Sequence, residues 1–326
     1  TQAEVTAGDT AARAGRKNLI INGGFDVWQR GTSFTTNGYT ADRWELGLSG
    51  ATSTVTQQAF TLGQTEVPDN PTYYLKVDTT TADNNCGLYY RVEDVRNGAG
   101  QNVTLSFWAK GTNPAGDVFD LISSQRFGTG GSGNVETITP LTFTSSWVKY
   151  THTFSLASIA GKTVGAGNNL TLSIRQDADD TSTTAWNLNI ANVQLELGSV
   201  ATDFEHRSYG EELALCQRYC HVTYCAGAGV QNSPNAAFVS SHIPVTMRNR
   251  PSISTNSGVW TNINLENRDT YDVTGVTVAH GSVDGDPDSM TSFVVQFITT
   301  ASHTLGLAVV GVCDRNNDFF IYDAEL

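Results

Sequence analysis

Residues 102–110 read NVTLSFWAK. In an extended chain successive side chains point to opposite faces. Val103, Leu105, Phe107 and Ala109 therefore share one face, and Thr104, Ser106 and Trp108 share the other. One face is apolar and the other mixed, the pattern of a strand in a layered sheet with one buried side. The same reading applies to LTLSIRQ at 170–176, where Leu170, Leu172 and Ile174 oppose Thr171, Ser173 and Arg175. In GLYYRVE at 87–93, Leu88, Tyr90 and Val92 oppose Tyr89, Arg91 and Glu93. The stretch WNLNIANVQLELG at 186–198 changes phase: Leu188 and Ile190 hold one parity, Val193, Leu195 and Leu197 the other. A β-bulge near Ala191–Asn192 restores one inward face.

Working outward, further strands are expected at 51–60, 73–78, 117–125 and 147–155, punctuated by Gly, Asn, Asp and Pro. NLIINGGFDVWQRG, from Asn18, reads as a strand, a Gly-Gly break and a second short strand. Residues 1–17 are small and polar and read as a linker or attachment segment. The region 18–207 is expected to form a jelly-roll β-sandwich.

One stretch departs from this pattern. In SYGEELALCQRYC, Ser208 stands three residues before Glu211, the spacing of a capping box. A helix is expected from about Gly210 to Tyr219, within a connecting segment 208–220. Leu213, Cys216 and Cys220 fall on one narrow seam. A helix this short needs a packing partner, either its own domain or copies of itself from other chains about a symmetry axis. Strands resume at 221–230, 235–247, 252–264, 270–280, 290–301, 304–313 and 318–326. Pro244 suits an edge strand or a strand end. The whole chain is thus all-β with one short helix, ending in a small C-terminal β-sandwich over 221–326.

The 326 residues include 31 Gly and 10% aromatics, and carry a net charge of −13. That charge repels phosphate backbones and disfavours nucleic acid as a partner. No apolar run reaches the length of a membrane span. The five cysteines (Cys86, Cys216, Cys220, Cys225 and Cys313) form no CxxC pair, so they read as buried thiols. G-x-S-x-G, H-E-x-x-H and P-loop motifs are absent, and the six histidines share no motif, so no enzyme is expected.

Three motifs together, NLIINGGFDVWQRG…YTADRW, ANVQLELGSVATDFEHRSYGEELALCQRYC and HIPVTMRNRPSIS, resemble bacteriophage tail-fibre and receptor-binding proteins over roughly residues 18–255. The resemblance implies a carbohydrate-binding-module-like, galactose-binding-like jelly roll and a homotrimer with the helix on the three-fold axis. It implies a virion location outside the cell. The implied partners are host cell-surface polysaccharide and other tail proteins, with neither nucleic acid nor membrane. A monomeric carbohydrate-binding module of a secreted glycan-degrading enzyme is the alternative. Modules with this opening often carry a structural calcium. Here the matching last-strand positions are Ala191–Asn192, without a carboxylate, and Asp26 remains in the first strand, so no cofactor is assigned.

Aromatic rings stack on sugars, and arginine hydrogen-bonds hydroxyls or pairs with acidic sugars. Tyr89, Arg91, Trp108 and Arg175, all outward-facing, are the candidate glycan platform. The competing expectation is an ordinary outer sheet surface. DGDPDS, with Asp284, Asp286 and Asp288, has partial calcium-loop spacing but lacks the Gly and the later Glu, and reads with DADD (177–180) as a solvated turn.

Overall fold

The computed structural model describes residues 16–81, 86–114, 118–176, 184–223, 225–233, 236–249, 251–255, 260–264, 270–281, 290–299, 308–313 and 320–326. The chain divides into two compact units, Thr1–Glu212 with Leu326, and Leu213–Glu325.

The first unit contains β1 (Ser33–Phe34), β2 (Gly38–Tyr39), β3 (Trp44–Gly47), β4 (Thr52–Ala59), β5 (Tyr73–Thr81), β6 (Gly87–Glu93), β7 (Asn102–Thr112), β8 (Phe119–Arg126), β9 (Val135–Leu141), β10 (Val148–Ser155), β11 (Asn169–Gln176) and β12 (Trp186–Leu197). They form two antiparallel six-stranded sheets. The first has the order β1-β4-β5-β12-β7-β10 and the second β2-β3-β6-β11-β8-β9. The pair makes the expected jelly-roll sandwich. Val103, Leu105, Phe107 and Ala109 of β7 meet Leu170, Leu172 and Ile174 of β11 and Leu88, Tyr90 and Val92 of β6 in one buried core.

The phase change in β12 is a bulge. Pairing with β7 shifts between Ala191 and Gln194, and Asn192 adopts φ 49°. Leu188, Ile190, Val193 and Leu195 consequently all reach the core. Asn tolerates the left-handed region better than most residues because its short polar side chain bonds locally.

The opening segment differs from expectation. Residues 18–30 form no strand, because side chains replace the ladder. Asn18 Oδ1 accepts from Ile20 N and Leu195 N, at 2.9 and 3.0 Å. Asn22 Oδ1 accepts from Val27 N at 3.0 Å, and its Nδ2 donates to Val27 O and Asp42 O. Positive φ at Asn22 and Phe25 rules out regular pairing.

The helix α1 (Tyr209–Gln217) starts where the capping signal lies. Ser208 Oγ accepts from Glu211 N at 3.3 Å. The division between the two units falls inside this helix.

The second unit contains β13 (Cys220–Thr223), β14 (Cys225–Ser233), β15 (Ala236–Met247), β16 (Ser252–Thr255), β17 (Trp260–Asn264), β18 (Thr270–Gly281), β19 (Met290–Thr299), β20 (Ala308–Cys313) and β21 (Phe320–Asp323). It is β-built, but it is not the expected sandwich. β14-β15-β19-β18-β17-β20 close into a barrel, beside a three-stranded sheet β13-β21-β16. Closure occurs because β20 pairs with both β14 and β17, so neither end of the sheet is left as an edge. Pro244 lies inside β15 rather than at an edge. It sits where pairing with β19 jumps from His242–Ser292 to Met247–Met290, so its missing N–H breaks no ladder bond. Residues 1–15, 177–180 and 284–288 lie outside the described residues.

Candidate functional site

The four platform residues occupy two different surfaces. Tyr89 and Arg91 of β6 and Arg175 of β11 share the outer face of the second sheet, whereas Trp108 of β7 stands on the outer face of the first. Alternation sends all four outward, but a sandwich has two outsides.

On the second sheet the charged groups are already matched. Arg91 Nη1 lies 2.5 Å from Glu45 Oε2 and donates to Tyr39 Oη at 2.8 Å. Burial lowers the pKa of the Arg91 guanidinium, but Tyr39 and Glu45 outweigh it and hold the group above its ordinary value. Arg175 Nη2 lies 3.6 Å from Asp120 Oδ2. The Tyr89 ring lies over Gly47 of β3, where an added Cβ would meet its Cε2 at 2.5 Å. Burial pushes the Tyr89 hydroxyl up, against the opposing pull of Arg175. This face is a packed, neutralised surface.

Trp108 is placed differently. It lines a cleft of about 140 Å³ with Ser106, Lys149, Asn192, Pro68, Asp69, Asp203 and Phe204. The sheet supplies the floor: Lys149 of β10 pairs directly with Trp108, and Asn192 sits at the bulge of β12. Two loops supply the rim. Gln64 clamps Val67 through both its amide atoms, at 2.8 and 2.9 Å, which fixes the turn carrying Pro68 and Asp69. Gln194 donates to Asp203 O and accepts from Glu205 N, which fixes the segment carrying Asp203 and Phe204. Trp108 also packs beside Trp147, Val67 and Ala191, with Phe60 and Tyr74 completing the aromatic group. Asn192 is only 4% exposed, and its Oδ1 has no hydrogen-bond partner.

The comparisons with known proteins stand at a distance. No family model matches the chain, and no curated protein does. Among solved structures, the chain is similar to the family 11 carbohydrate-binding module of a cellulosomal cellulase from Clostridium thermocellum. Identity is 13% and the TM-score 0.33, over 52% of this chain and 97% of that one. It is similar to the N-terminal cellulose-binding domain of β-1,4-glucanase C from Cellulomonas fimi, at 19% identity and TM-score 0.31, over 54% and 95%. It is also similar to the enzymatically active domain of tailspike protein 4 of bacteriophage CBA120, at 13% identity and TM-score 0.32. That match spans 55% of this chain and 21% of the tailspike chain.

The helix seam is filled from within. Cys216 and Cys220 are fully buried in their own chain, and only Leu213 remains partly exposed. Cys220 already belongs to β13. Asp26, the carboxylate left from the calcium pattern, lies near Glu212 and His206; burial first, then Glu212, raises its pKa, and His206 lowers it. Among the described residues no group of three His, Cys, Asp or Glu side chains is arranged to hold a metal ion.

Sequence reasoning missed the rim residues Asp69, Asp203 and Phe204 and the supporting Phe60 and Tyr74, whereas Trp147 is the packing residue its sequence context suggests. The loops holding the rim are far apart in the chain, and no local pattern links them.

Proposed function

We propose that this chain is a non-catalytic attachment protein of the phage tail-fibre or receptor-binding type, which binds a host cell-surface glycan through its jelly-roll unit. The observation that carries the glycan assignment is the cleft beside Trp108. It combines an indole held by an aromatic cluster with hydroxyl and amide groups on the sheet and carboxylates on the rim loops, the mixture of stacking and hydrogen bonding that sugars require. The tail-fibre assignment rests on the three sequence motifs. In this reading the protein is a virion component outside the cell, assembled as a homotrimer so that weak single sites gain effective concentration.

The second reading is a monomeric carbohydrate-binding module of a secreted glycan-degrading enzyme. One observation favours it: Cys216 and Cys220 are covered by their own chain and offer no seam to a partner. Light scattering after size exclusion separates the two, since a three-chain mass supports the fibre and a single-chain mass supports the module. Retention on immobilised bacterial surface polysaccharide tests the glycan assignment. Trp108→Ala is expected to weaken retention about tenfold, the loss of roughly 1.4 kcal/mol of stacking. Equal retention of the variant would remove the cleft from the function.

A further inference from the structure

We infer that Glu196, a buried carboxylate outside the cleft lining, is the positioning residue that sets the binding shape of the cleft beside Trp108, a role that rests on the cleft being the glycan site.

β12 ends in two outward polar side chains. Beyond the bulge Gln194 pairs with Ser106 and Glu196 with Thr104. Both therefore lie on the face that carries Ser106 and Trp108. An outward Gln or Glu is ordinarily solvated, yet both are buried. The chain that follows β12 folds back over them. It is pinned first at Gly198, whose N donates to Asn102 O and whose O accepts from Thr104 Oγ1, each at 2.8 Å. It then arches away, leaving Val200 71% exposed. It returns at Thr202, where Glu196 takes hold. Glu196 Oε2 accepts from Thr202 N at 2.9 Å, and its Oε1 accepts from Thr202 Oγ1 at 2.6 Å. The other side chains that reach Thr202 Oγ1, Gln194 and Lys17, do so at the longer 3.4 and 3.5 Å.

Thr202 passes that grip to the cleft. Its O accepts from Lys149 Nζ at 3.2 Å, and Asp203 and Phe204 follow it directly in the chain. Lys149, Asp203 and Phe204 all line the cleft. A side chain on β10 and two on the rim thus depend on one carboxylate.

The donors decide the residue type. Thr202 presents two, an N–H and an O–H, to two oxygens. A carboxylate accepts at both, whereas a glutamine amide accepts at one. Charge-assisted hydrogen bonds are the stronger kind, and a buried carboxylate is costly without its donors. The hold on Thr202 is therefore stiff. Lys149 and the rim meet a ligand already ordered, so less freedom is lost on binding.

The test uses the full chain with two variants, Glu196→Ala and the near-isosteric Glu196→Gln, which keeps one acceptor and the fold. Acetylation by sulfo-N-hydroxysuccinimide acetate, read by mass spectrometry, reports on Lys149 without any glycan. Lys162, which stacks over Phe127 on another loop, is the internal reference. Both variants are expected to raise Lys149 labelling relative to Lys162 about threefold, whereas general loosening raises both. Retention on immobilised bacterial surface polysaccharide is expected to fall about tenfold for Glu196→Ala and about threefold for Glu196→Gln. Combined with Lys149→Ala, Glu196→Ala is expected to lose less than the product of the two separate losses. Ser208→Ala, which weakens the helix cap, is expected to leave retention unchanged. Unaltered Lys149 labelling, unaltered retention of the Glu196 variants, or fully independent losses with Lys149→Ala would each overturn the inference; a loss on Trp108→Ala would still leave the cleft as the glycan site. Failure of the unaltered chain to be retained removes the proposed function, and this role with it.

Discussion

Asn22 spends its entire side chain on one turn and its backbone N–H on Glu212, whose Oε1 accepts at 2.6 Å. Arg207 reinforces the same place, donating to Ile20 O at 2.9 Å and pairing with Glu212 at 3.2 Å. Trp44 Nε1 donates to Asn22 O at 3.0 Å. The first two motifs that carried the sequence resemblance therefore meet in one hydrogen-bonded junction, and the second of them also supplies Asn192, Asp203 and Phe204 to the cleft. Asn22→Ala orphans several buried groups and is expected to cost about 3 kcal/mol in urea unfolding. Asp26 behaves in the opposite sense. Its folded pKa is raised above the ordinary 3.8 by burial and by Glu212. An acid with a raised folded pKa binds more protons folded than unfolded in the window above 3.8, so it lowers stability as pH rises through that window. Asp26→Asn is expected to raise the melting temperature at pH 7, with the difference shrinking as pH falls toward 3.8. A gap that widens on acidification would refute this sign.

The bulge in β12 is the element on which the sandwich turns. It lets Leu188 and Ile190, then Val193 and Leu195, all face inward, and it leaves Asn192 at the floor of the cleft. Gly23 lies against it: a Cβ there would stand 2.1 Å from Val193 O. Gly23→Ala is expected to destabilise by more than about 3 kcal/mol, against about 1 kcal/mol for Ser208→Ala at the helix cap, both read by denaturant titration. The bulge was legible because apolar residues on both sides of a parity change can face one core only if the strand carries an extra residue between them. The limits of β6 and β11 were equally legible, since alternation and turn residues agree there. β9 was missed because it is an edge strand whose side chains are mostly exposed, so VETITPL carries no apolar row. β1 and β2 are two residues each, too short to form a pattern. Barrel closure depends on β20 meeting two distant strands, which no local window records. Alternation placed Trp108 outward correctly but gave no information on which outside it faced.

The division of the chain into two compact units inside α1 has a thermodynamic counterpart. Scanning calorimetry is expected to resolve two transitions, and a saturating glycan ligand is expected to raise only the one belonging to the unit that holds the cleft, since a ligand stabilises what binds it. A single transition, or both moving together, would contradict that assignment. The junction around Asn22 adds a constraint of timing. Leu19 N donates to Leu195 O, Asn18 Nδ2 to Val193 O, and Asn22 N to Glu212, which joins residues nearly the whole first unit apart. Contacts of such long separation form late, after the intervening chain is available. During synthesis residues 18–185 therefore leave the ribosome before β12, with the opening segment unpaired and the first sheet lacking the strand that joins β5 to β7. Completion waits until the start of the helix has emerged. A nascent chain stalled short of that point is the state most open to proteases and to clumping with its neighbours on a polysome.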